Sequence, residues 1–354
     1  VWLPWAEIET SPGEYDWSAY DSLFAQLEDL GMEALVVVYN VPAWAGDEAC
    51  GPISDYDALY RFVREVVPRY QATATAWEFI NEPDGFRPHP YGPFIGCWAP
   101  YPEEYAQALQ LFYAMVKDID RDALVFFGGL AYDSWDNFDR EFLANTLHHG
   151  AGDFFDGLSF HFYPINDEEF PNVIYKLNEL RAILADHGVT GKRFWITEMS
   201  MWANSDDGLT AQQDFIVKEL TRAYCAGVDN IFWFAIRQDT QYPPTLHRWL
   251  IDADHNPAQA NATYAHYNAR IKDGFCFGPV ADLPPGAEAY RFSTNGGPVY
   301  IGWTEGGAAS LMVEAAETMA LLDREGGLIT NVAPENGEAS MTLAATPRFF
   351  VTAE

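Results

Sequence analysis

The sequence is poor in positive charge, in cysteine and in long apolar runs. Its 354 residues include 52 Asp and Glu but only 20 Lys and Arg, of which five are Lys, and the formal net charge is −32. Because such a surface repels phosphate groups, we predict neither nucleic acid nor an anionic membrane as a partner. Acidic secreted enzymes and proteins adapted to high salt both have this composition, and both interpretations stay open.

No run of about 18 apolar residues occurs, so no transmembrane helix is predicted. The first five residues have neither a basic segment nor a small-residue cleavage site, so no signal peptide is visible, although removal of a leader would leave the same start. We expect an extracellular or periplasmic protein, with a cytoplasmic location as the alternative.

The four cysteines are Cys50, Cys97, Cys225 and Cys276. They form no Cys-x-x-Cys pair and no Cys/His cluster with zinc spacing, so we predict no metal and no cofactor. Cys50 and Cys97 both follow predicted strands on one face, which favours a disulfide between them. Cys225 and Cys276 lie near the ends of successive predicted helices and are a second candidate pair. Four free thiols in a cytosolic protein are the alternative.

Apolar runs alternate with amphipathic stretches over the first 272 residues. The strand-like runs are residues 1–6, 32–39, 74–80, 123–127, 157–162, 193–197 and 230–235. The helix-like stretches are residues 18–30, 55–70, 103–119, 169–187, 210–226 and 258–271, with N-caps at Ser18, Asp55 and Thr210 and stops at Gly31 and Gly227. Runs that are apolar on both faces indicate a parallel sheet covered by helices.

This alternation predicts an α/β fold, a (β/α)8 TIM barrel over residues 1–272. The chain supplies seven of the eight strands, so we expect the first strand and helix upstream of Val1. From about Phe275 short alternating runs are separated by Gly and Asn turns. This pattern predicts an antiparallel β-sandwich over residues 273–354.

Two of the apolar runs end in a carboxylate. Residues 77–83 are Trp-Glu-Phe-Ile-Asn-Glu-Pro, and residues 194–198 are Phe-Trp-Ile-Thr-Glu. A carboxylate at the C-terminal end of a barrel strand points into the mouth of the barrel, where barrel enzymes have their active sites. Glu82 and Glu198 are therefore candidate catalytic residues, because a pair of carboxylates can cleave glycosidic bonds. Glu78 has the same parity as Glu82 and could instead be a structural carboxylate paired with an arginine.

Six motifs, in the same order, resemble those of clan A glycoside hydrolases. They are residues 5–17, residues 41–45 (Val-Pro-Ala-Trp-Ala), the two carboxylate motifs 80–83 and 196–198, residues 161–163 (His-Phe-Tyr) and residues 227–234. The C-terminal region is similar to the sandwich that follows the barrel in family 39, and family 5 is a second possible assignment.

The resemblance implies a retaining glycoside hydrolase that works by double displacement. It implies that Glu82 is the acid/base, with its pKa raised by the charge of Glu198, and that Glu198 is the nucleophile. The other implied site residues are Asn81 on the sugar 2-hydroxyl, Tyr163 donating to Glu198, His161 tuning the same cluster, and Trp233 as the floor on which a sugar stacks. Among the loop aromatics, Trp44 and Trp202 are the preferred sugar contacts.

The substrate is expected to be an oligosaccharide or glycoside. Loop 84–102 has five prolines and three glycines, which favours a walled site and an exo-acting, xylosidase- or glucosidase-like enzyme. An endo-acting glucanase, xylanase or mannanase is the alternative, and a non-catalytic carbohydrate-binding barrel is a further one.

A metal-dependent hydrolase or aldolase would need clustered His and Asp ligands or a lysine at a strand end. Arg237 is predicted to contact either substrate or an acidic neighbour.

Overall fold

The computed structural model describes residues 1–46, 50–86, 96–133, 137–164, 170–238, 246–307 and 309–353. The chain forms two compact units. The first unit comprises Val1–Phe162 and Lys176–Thr197, and the second comprises Tyr163–Tyr175 and Glu198–Glu354.

A parallel sheet with helices between its strands dominates the first unit. The elements are β1 Trp2–Pro4, α1 Trp5–Ile8, β2 Glu9–Ser11, β3 Glu14–Tyr15, α2 Ser18–Asp29, β4 Ala34–Tyr39, α3 Tyr56–Tyr70, β5 Ala74–Phe79, α4 Pro102–Ile119, β6 Leu124–Leu130, α5 Phe142–His148, β7 Gly157–Phe162, α6 Val173–Asp186 and β8 Arg193–Met199. Strands β1, β4, β5, β6 and β7 pair in parallel, in that order. With β8 and β9 (Asn230–Trp233) the sheet has seven strands among the described residues, as predicted for the α/β barrel fold.

Strands β4 to β7 are buried on both faces, which explains why their sequences do not alternate. In β9, by contrast, Asn230 and Phe232 are exposed. All six residues of β4 and all six of β7 are buried. One face carries the cluster Leu35, Val37, Ala76, Phe126 and Trp195. On the other face Phe79 packs on Phe112 of α4. A sheet covered on both sides is the environment that selects continuous Val, Leu and Phe runs.

The second unit holds antiparallel sheets. After α7 (Asp206–Cys225), β9 and α8 (Gln259–Ile271) come β10 Phe275–Pro279, β11 Ala287–Thr294, β12 Gly297–Thr304, β13 Ala309–Glu314, β14 Met319–Leu322, β15 Leu328–Val332, β16 Glu338–Leu343 and β17 Arg348–Thr352. Six of these strands form one sheet in the order β10-β11-β12-β17-β14-β15, and β13 pairs with β16. Side chains of both sheets, such as Tyr300 and Met341, share one apolar core, which is the packing expected of a sandwich.

Several element boundaries differ from those predicted. The first strand is only three residues long, because α1 begins at Trp5. Asp55 caps α3 as predicted, and its side chain accepts a hydrogen bond from the Ala58 N–H at 3.0 Å. The predicted cap at Thr210 is wrong, since α7 begins four residues earlier and Ser205 caps it. The cap at Ser18 is also wrong, because the amide of Ser18 is bound by Asp16. The domain boundary at residue 272 stays a prediction.

Both predicted disulfides are present. Cys50 and Cys97 have a Cα–Cα distance of 5.2 Å, and Cys225 and Cys276 one of 5.3 Å. All four cysteines are thus paired and none is available as a metal ligand. Among the helices of the described residues, none combines the length and the apolar character that crossing a membrane requires.

Replacing both cysteines of one pair by serine should lower the free energy of unfolding. The two bridges span 47 and 51 residues, so the chain-entropy model predicts a loss of about 4 kcal/mol for either pair. Urea unfolding of Cys50→Ser/Cys97→Ser and of Cys225→Ser/Cys276→Ser measures it, with the other pair intact as the control. A double variant with the wild-type unfolding midpoint would contradict this expectation.

Candidate active site

The end of β5 has an unusual backbone that presents Glu82. Ile80 has φ +66° and Glu82 has φ +43°, and a β-branched residue rarely adopts a positive φ. The Glu82 N–H donates to the Gly129 carbonyl at 2.9 Å, and the Asn81 carbonyl accepts from the Gly96 N–H at 2.8 Å. At the end of the strand these hydrogen bonds replace the regular hydrogen bonds of the β-sheet, and the chain turns there.

Glycines leave the space that this turn needs. A β-carbon on Gly128 would lie 2.2 Å from the Ile80 carbonyl oxygen, and one on Gly96 would lie 2.9 Å from the Asn81 carbonyl oxygen. Both distances are too short for any side chain. A pair of glycines inside a strand, as at residues 128–129, is a signal of close backbone approach that the sequence analysis did not use.

Glu82 is buried and surrounded by charged groups of the first unit. Its Oε1 lies 2.8 Å from Nδ1 of His161, and both residues are buried. Burial raises the pKa of Glu82 to about 8; the charge of Asp133 adds to the rise and that of Lys176 opposes it. The pKa of Glu82 is raised, as predicted, but the largest cause is burial and not the predicted charge of Glu198. A carboxyl with this pKa is protonated at neutral pH and can act as an acid.

Glu198, at the end of β8, lies beside a phenol. The Tyr163 hydroxyl donates to Oε2 of Glu198 at 2.5 Å, and Glu198 is buried. The sequence analysis predicted this hydrogen bond. A hydroxyl donor stabilises the ionised carboxylate and fixes its orientation. The two candidate carboxyls thus have different partners, Glu82 an imidazole and Glu198 a phenol.

Comparison with known proteins supports the fold. No family profile and no curated protein matches the sequence. Solved structures do match. A family 39 glycoside hydrolase from the gut symbiont Bacteroides cellulosilyticus WH2 superposes with a TM-score of 0.76 at 19% identity, over 100% of this chain and 74% of that one. A glucosidase from Croceicoccus marinus gives 0.69 at 15% identity, over 98% and 84% of the two chains.

A GH30 endoxylanase from Clostridium papyrosolvens C71 is also similar, with a TM-score of 0.66 at 15% identity over 96% of this chain and 85% of that chain. At these identities the likeness shows the fold. This chain shares the fold of these three glycoside hydrolases. The fold implied by the six sequence motifs is confirmed.

The predicted aromatic residues lie in different environments. Trp233 is 6% exposed and its indole N–H donates to the Arg248 carbonyl at 2.8 Å. Trp202 is 39% exposed, and the guanidinium of Arg248 lies 4.6 Å from its ring centre. The indole N–H of Trp44 donates to the Glu9 carbonyl at 3.0 Å. Trp202 therefore offers the most open ring surface of the three, and the sugar contacts of all three stay predictions.

Three charged residues of the first unit were missed by the sequence analysis. Lys176, on α6, donates to the Ala131 carbonyl and to Asp133, both at 2.7 Å. It lies on the apolar face of α6 with Val173, Leu177 and Leu180, so a lysine in that stripe was a usable signal. Asp84 accepts from the N–H groups of Ala131 and Tyr132 and so connects the segments that follow β5 and β6.

Two further predicted residues are Arg237 and Glu78. Arg237 donates to the Ala253 carbonyl at 2.9 Å, and its contact with substrate or an acidic neighbour stays a prediction. Glu78 is 1% exposed, as its parity predicted, but its largest favourable charge interaction is with His161 and not with an arginine. The central part of loop 84–102, residues 87–95, lies outside the described residues.

Gly128→Ala should destabilise the protein strongly, because the new β-carbon would collide with backbone carbonyls that cannot move without disturbing β5. Forced overpacking of this kind costs about 1–3 kcal/mol or more. Gly296→Ala is the matched control, since only the Thr294 hydroxyl lies near, at 3.7 Å, and a change within about 0.5 kcal/mol is expected. Equal unfolding midpoints for the two variants would show that the glycine is not required.

Proposed function

We propose that this chain is a retaining glycoside hydrolase with Glu82 as acid/base and Glu198 as nucleophile. The observation that carries the proposal is the difference between the two carboxyls. One is buried beside His161 with its pKa raised to about 8, and the other accepts a hydrogen bond from Tyr163. A retaining enzyme needs one protonated and one ionised carboxyl.

The strand order supports bringing the two groups to one site. Glu82 follows β5 and Glu198 ends β8, and the order β5-β6-β7-β8 belongs to one sheet. Since the C-terminal ends of parallel strands in a barrel share one face, we expect both carboxyls at that face. Their predicted separation is about 5 to 5.5 Å, which suits direct attack on the anomeric carbon.

In the first step Glu198 attacks the anomeric carbon, and Glu82 transfers its proton to the leaving oxygen. The glycosyl–enzyme ester then reacts with water, whose proton returns to Glu82 while the ester bond to Glu198 breaks. Asn81 is proposed to bind the 2-hydroxyl, and Trp233, Trp44 and Trp202 are proposed to stack on sugar rings.

The substrate is proposed to be a β-linked oligosaccharide or glycoside, cleaved from its end. The similar glucosidase favours this interpretation, whereas the similar endoxylanase favours internal cleavage of a polymer as the second candidate. Polymer viscosity that falls much faster than reducing ends appear would decide for internal cleavage. Two disulfides support an oxidising compartment outside the cytoplasm.

Variants of the two carboxylates separate their roles. On aryl glycosides, Glu198→Ala should lose turnover for every leaving group, because no other group forms the covalent ester. Glu82→Ala should be slowed far more with poor leaving groups than with activated nitrophenols, which need little protonation. Steady-state rates across a series of aryl leaving groups measure the difference.

Asp133→Ala is a useful comparison in the same series, since it removes a neighbouring charge but no proposed bond-making group. If Glu82→Ala shows the same loss for good and poor leaving groups, the assignment of Glu82 as the acid fails. If Glu198→Ala retains turnover, the nucleophile lies elsewhere.

A further inference from the structure

Lys176 is a charged residue on the apolar face of α6. It is 1% exposed, and its neighbours on that face, Leu177 and Leu180, are fully buried. Replacing a buried ion pair by apolar residues of similar volume is often neutral or even stabilising. Because a leucine or methionine would suit this face of the helix, stability alone does not explain a lysine there.

The ammonium group of Lys176 joins three segments of the first unit. Its Nζ donates to the Ala131 carbonyl and to Oδ1 of Asp133, both at 2.7 Å, and to the His161 carbonyl at 3.1 Å. An ammonium has three protons, and these three acceptors match that number. The group therefore ties α6 to residues 131–133, which follow β6, and to the end of β7.

One route of contact from Lys176 to the proposed acid/base passes through His161. The His161 carbonyl accepts from the ammonium, and Nδ1 of the same residue lies 2.8 Å from Oε1 of Glu82. All three residues are buried. A shift of the His161 backbone would carry the ring with it, so the ammonium helps to fix the place where the ring meets the Glu82 carboxyl.

A second route passes through residues 131–133. Asp84, two residues after Glu82, is buried and accepts from two N–H groups of this segment, at 3.2 and 2.7 Å. Lys176 binds a carbonyl and a carboxylate of the same segment. Residues 131–133 are thus hydrogen-bonded both to Lys176 and to the segment that carries the acid/base.

We infer that Lys176 is a positioning residue for proton transfer by Glu82. Its ammonium fixes the end of β7 and residues 131–133, and these hold the Glu82 carboxyl where it gives its proton to the leaving oxygen and later takes one from water. Lys176 keeps its own protons in both steps. The inference rests on the proposed function, because it concerns the transfer that the proposal assigns to Glu82.

Lys176→Met keeps the length of the side chain and removes the ammonium. On aryl glycosides kcat/KM should fall roughly 10- to 100-fold with poor leaving groups but less than about threefold with activated nitrophenols, which need little protonation. A merely structural role would lower the amount of folded protein, and the rates for all leaving groups would then fall by the same factor. Steady-state rates across a series of leaving groups measure the difference.

Lys117→Met is the matched control, because Lys117 makes the same kinds of bond before β6 that Lys176 makes after it. Its Nζ donates to the Ala123 carbonyl at 2.6 Å and lies 2.8 Å from Oδ2 of Asp156. This variant should leave the ratio of rates for good and poor leaving groups at the wild-type value. The same wild-type ratio in Lys176→Met would overturn the inference.

The pH profile is a second readout that a merely structural role would not move. Wild-type kcat/KM should fall as the pH rises through about 8, where Glu82 loses its proton. The charge of Lys176 lowers the pKa of Glu82 and that of Asp133 raises it. The alkaline limb should therefore move to higher pH in Lys176→Met and to lower pH in Asp133→Asn, by about half a unit or more in each.

The other titratable groups that face Glu82 are retained in these variants. They are His161, on β7, and Asp84, in the segment that follows β5. A shift of the limb consequently reports on the substituted charge. A limb that stays in place in either variant, or moves in the same direction in both, contradicts the inference.

A double variant guards against failure to fold. Lys176→Met leaves Asp133 without its cation, whereas Lys176→Met/Asp133→Asn leaves no unpaired charge and should show the same dependence on the leaving group. If only the double variant folds, a wild-type ratio of rates in it overturns the inference. Asp133→Asn retains the ammonium and its carbonyl acceptors, so its pH profile decides if neither Lys176 variant folds.

Glu82→Ala in the same series separates failure of the inference from failure of the proposed function. If Glu82→Ala loses the same factor for good and poor leaving groups, the acid assignment fails and the inference falls with it. If Glu82→Ala depends on the leaving group and Lys176→Met does not, only the role of Lys176 is overturned.

Discussion

The exclusion of water from the end of β5 is the constraint on which the site depends. Glu78, Asn81 and Glu82 are all nearly inaccessible, and burial is the largest cause of the raised pKa of both glutamates. A carboxyl in water would be ionised at neutral pH and could not serve as an acid. Burial allows Glu82 to act as an acid, but it also means that ionisation of these carboxyls destabilises the fold. Close packing around them has to compensate for that cost.

That packing is provided by backbone. Gly96 and Gly128 allow their segments to approach the end of β5 closely, because a β-carbon at either position would lie within 3.0 Å of a backbone oxygen there. The positive φ angles of Ile80 and Glu82 persist because the surrounding segments fix them, as is common where a side chain must be aimed at a reacting group. Asp84 binds the segment after β5 to the one after β6, and Lys176 binds α6 to the segment after β6.

Sequence patterns predicted the strands of the sheet because parallel strands are apolar on both faces and leave long uninterrupted runs. They also predicted the carboxylates at the strand ends and both disulfides, whereas the contact of Tyr163 with Glu198 was implied by the resemblance to known motifs. The short helix α5 was missed, since seven residues carry little periodicity. The partners of Glu78 and the role of Lys176 could not be predicted, because they depend on which side chains of distant segments meet around Gly129 and Asp133.

The anomeric configuration of the first product tests the central claim most directly. Proton NMR of the wild-type protein acting on a β-glycoside, recorded before mutarotation is complete, resolves the α and β anomers of the released sugar. Double displacement through Glu198 predicts that the β anomer appears first and the α anomer only later. Initial release of the α anomer would mean direct attack by water, and would contradict the assignment of Glu198 as nucleophile and Glu82 as its acid/base partner.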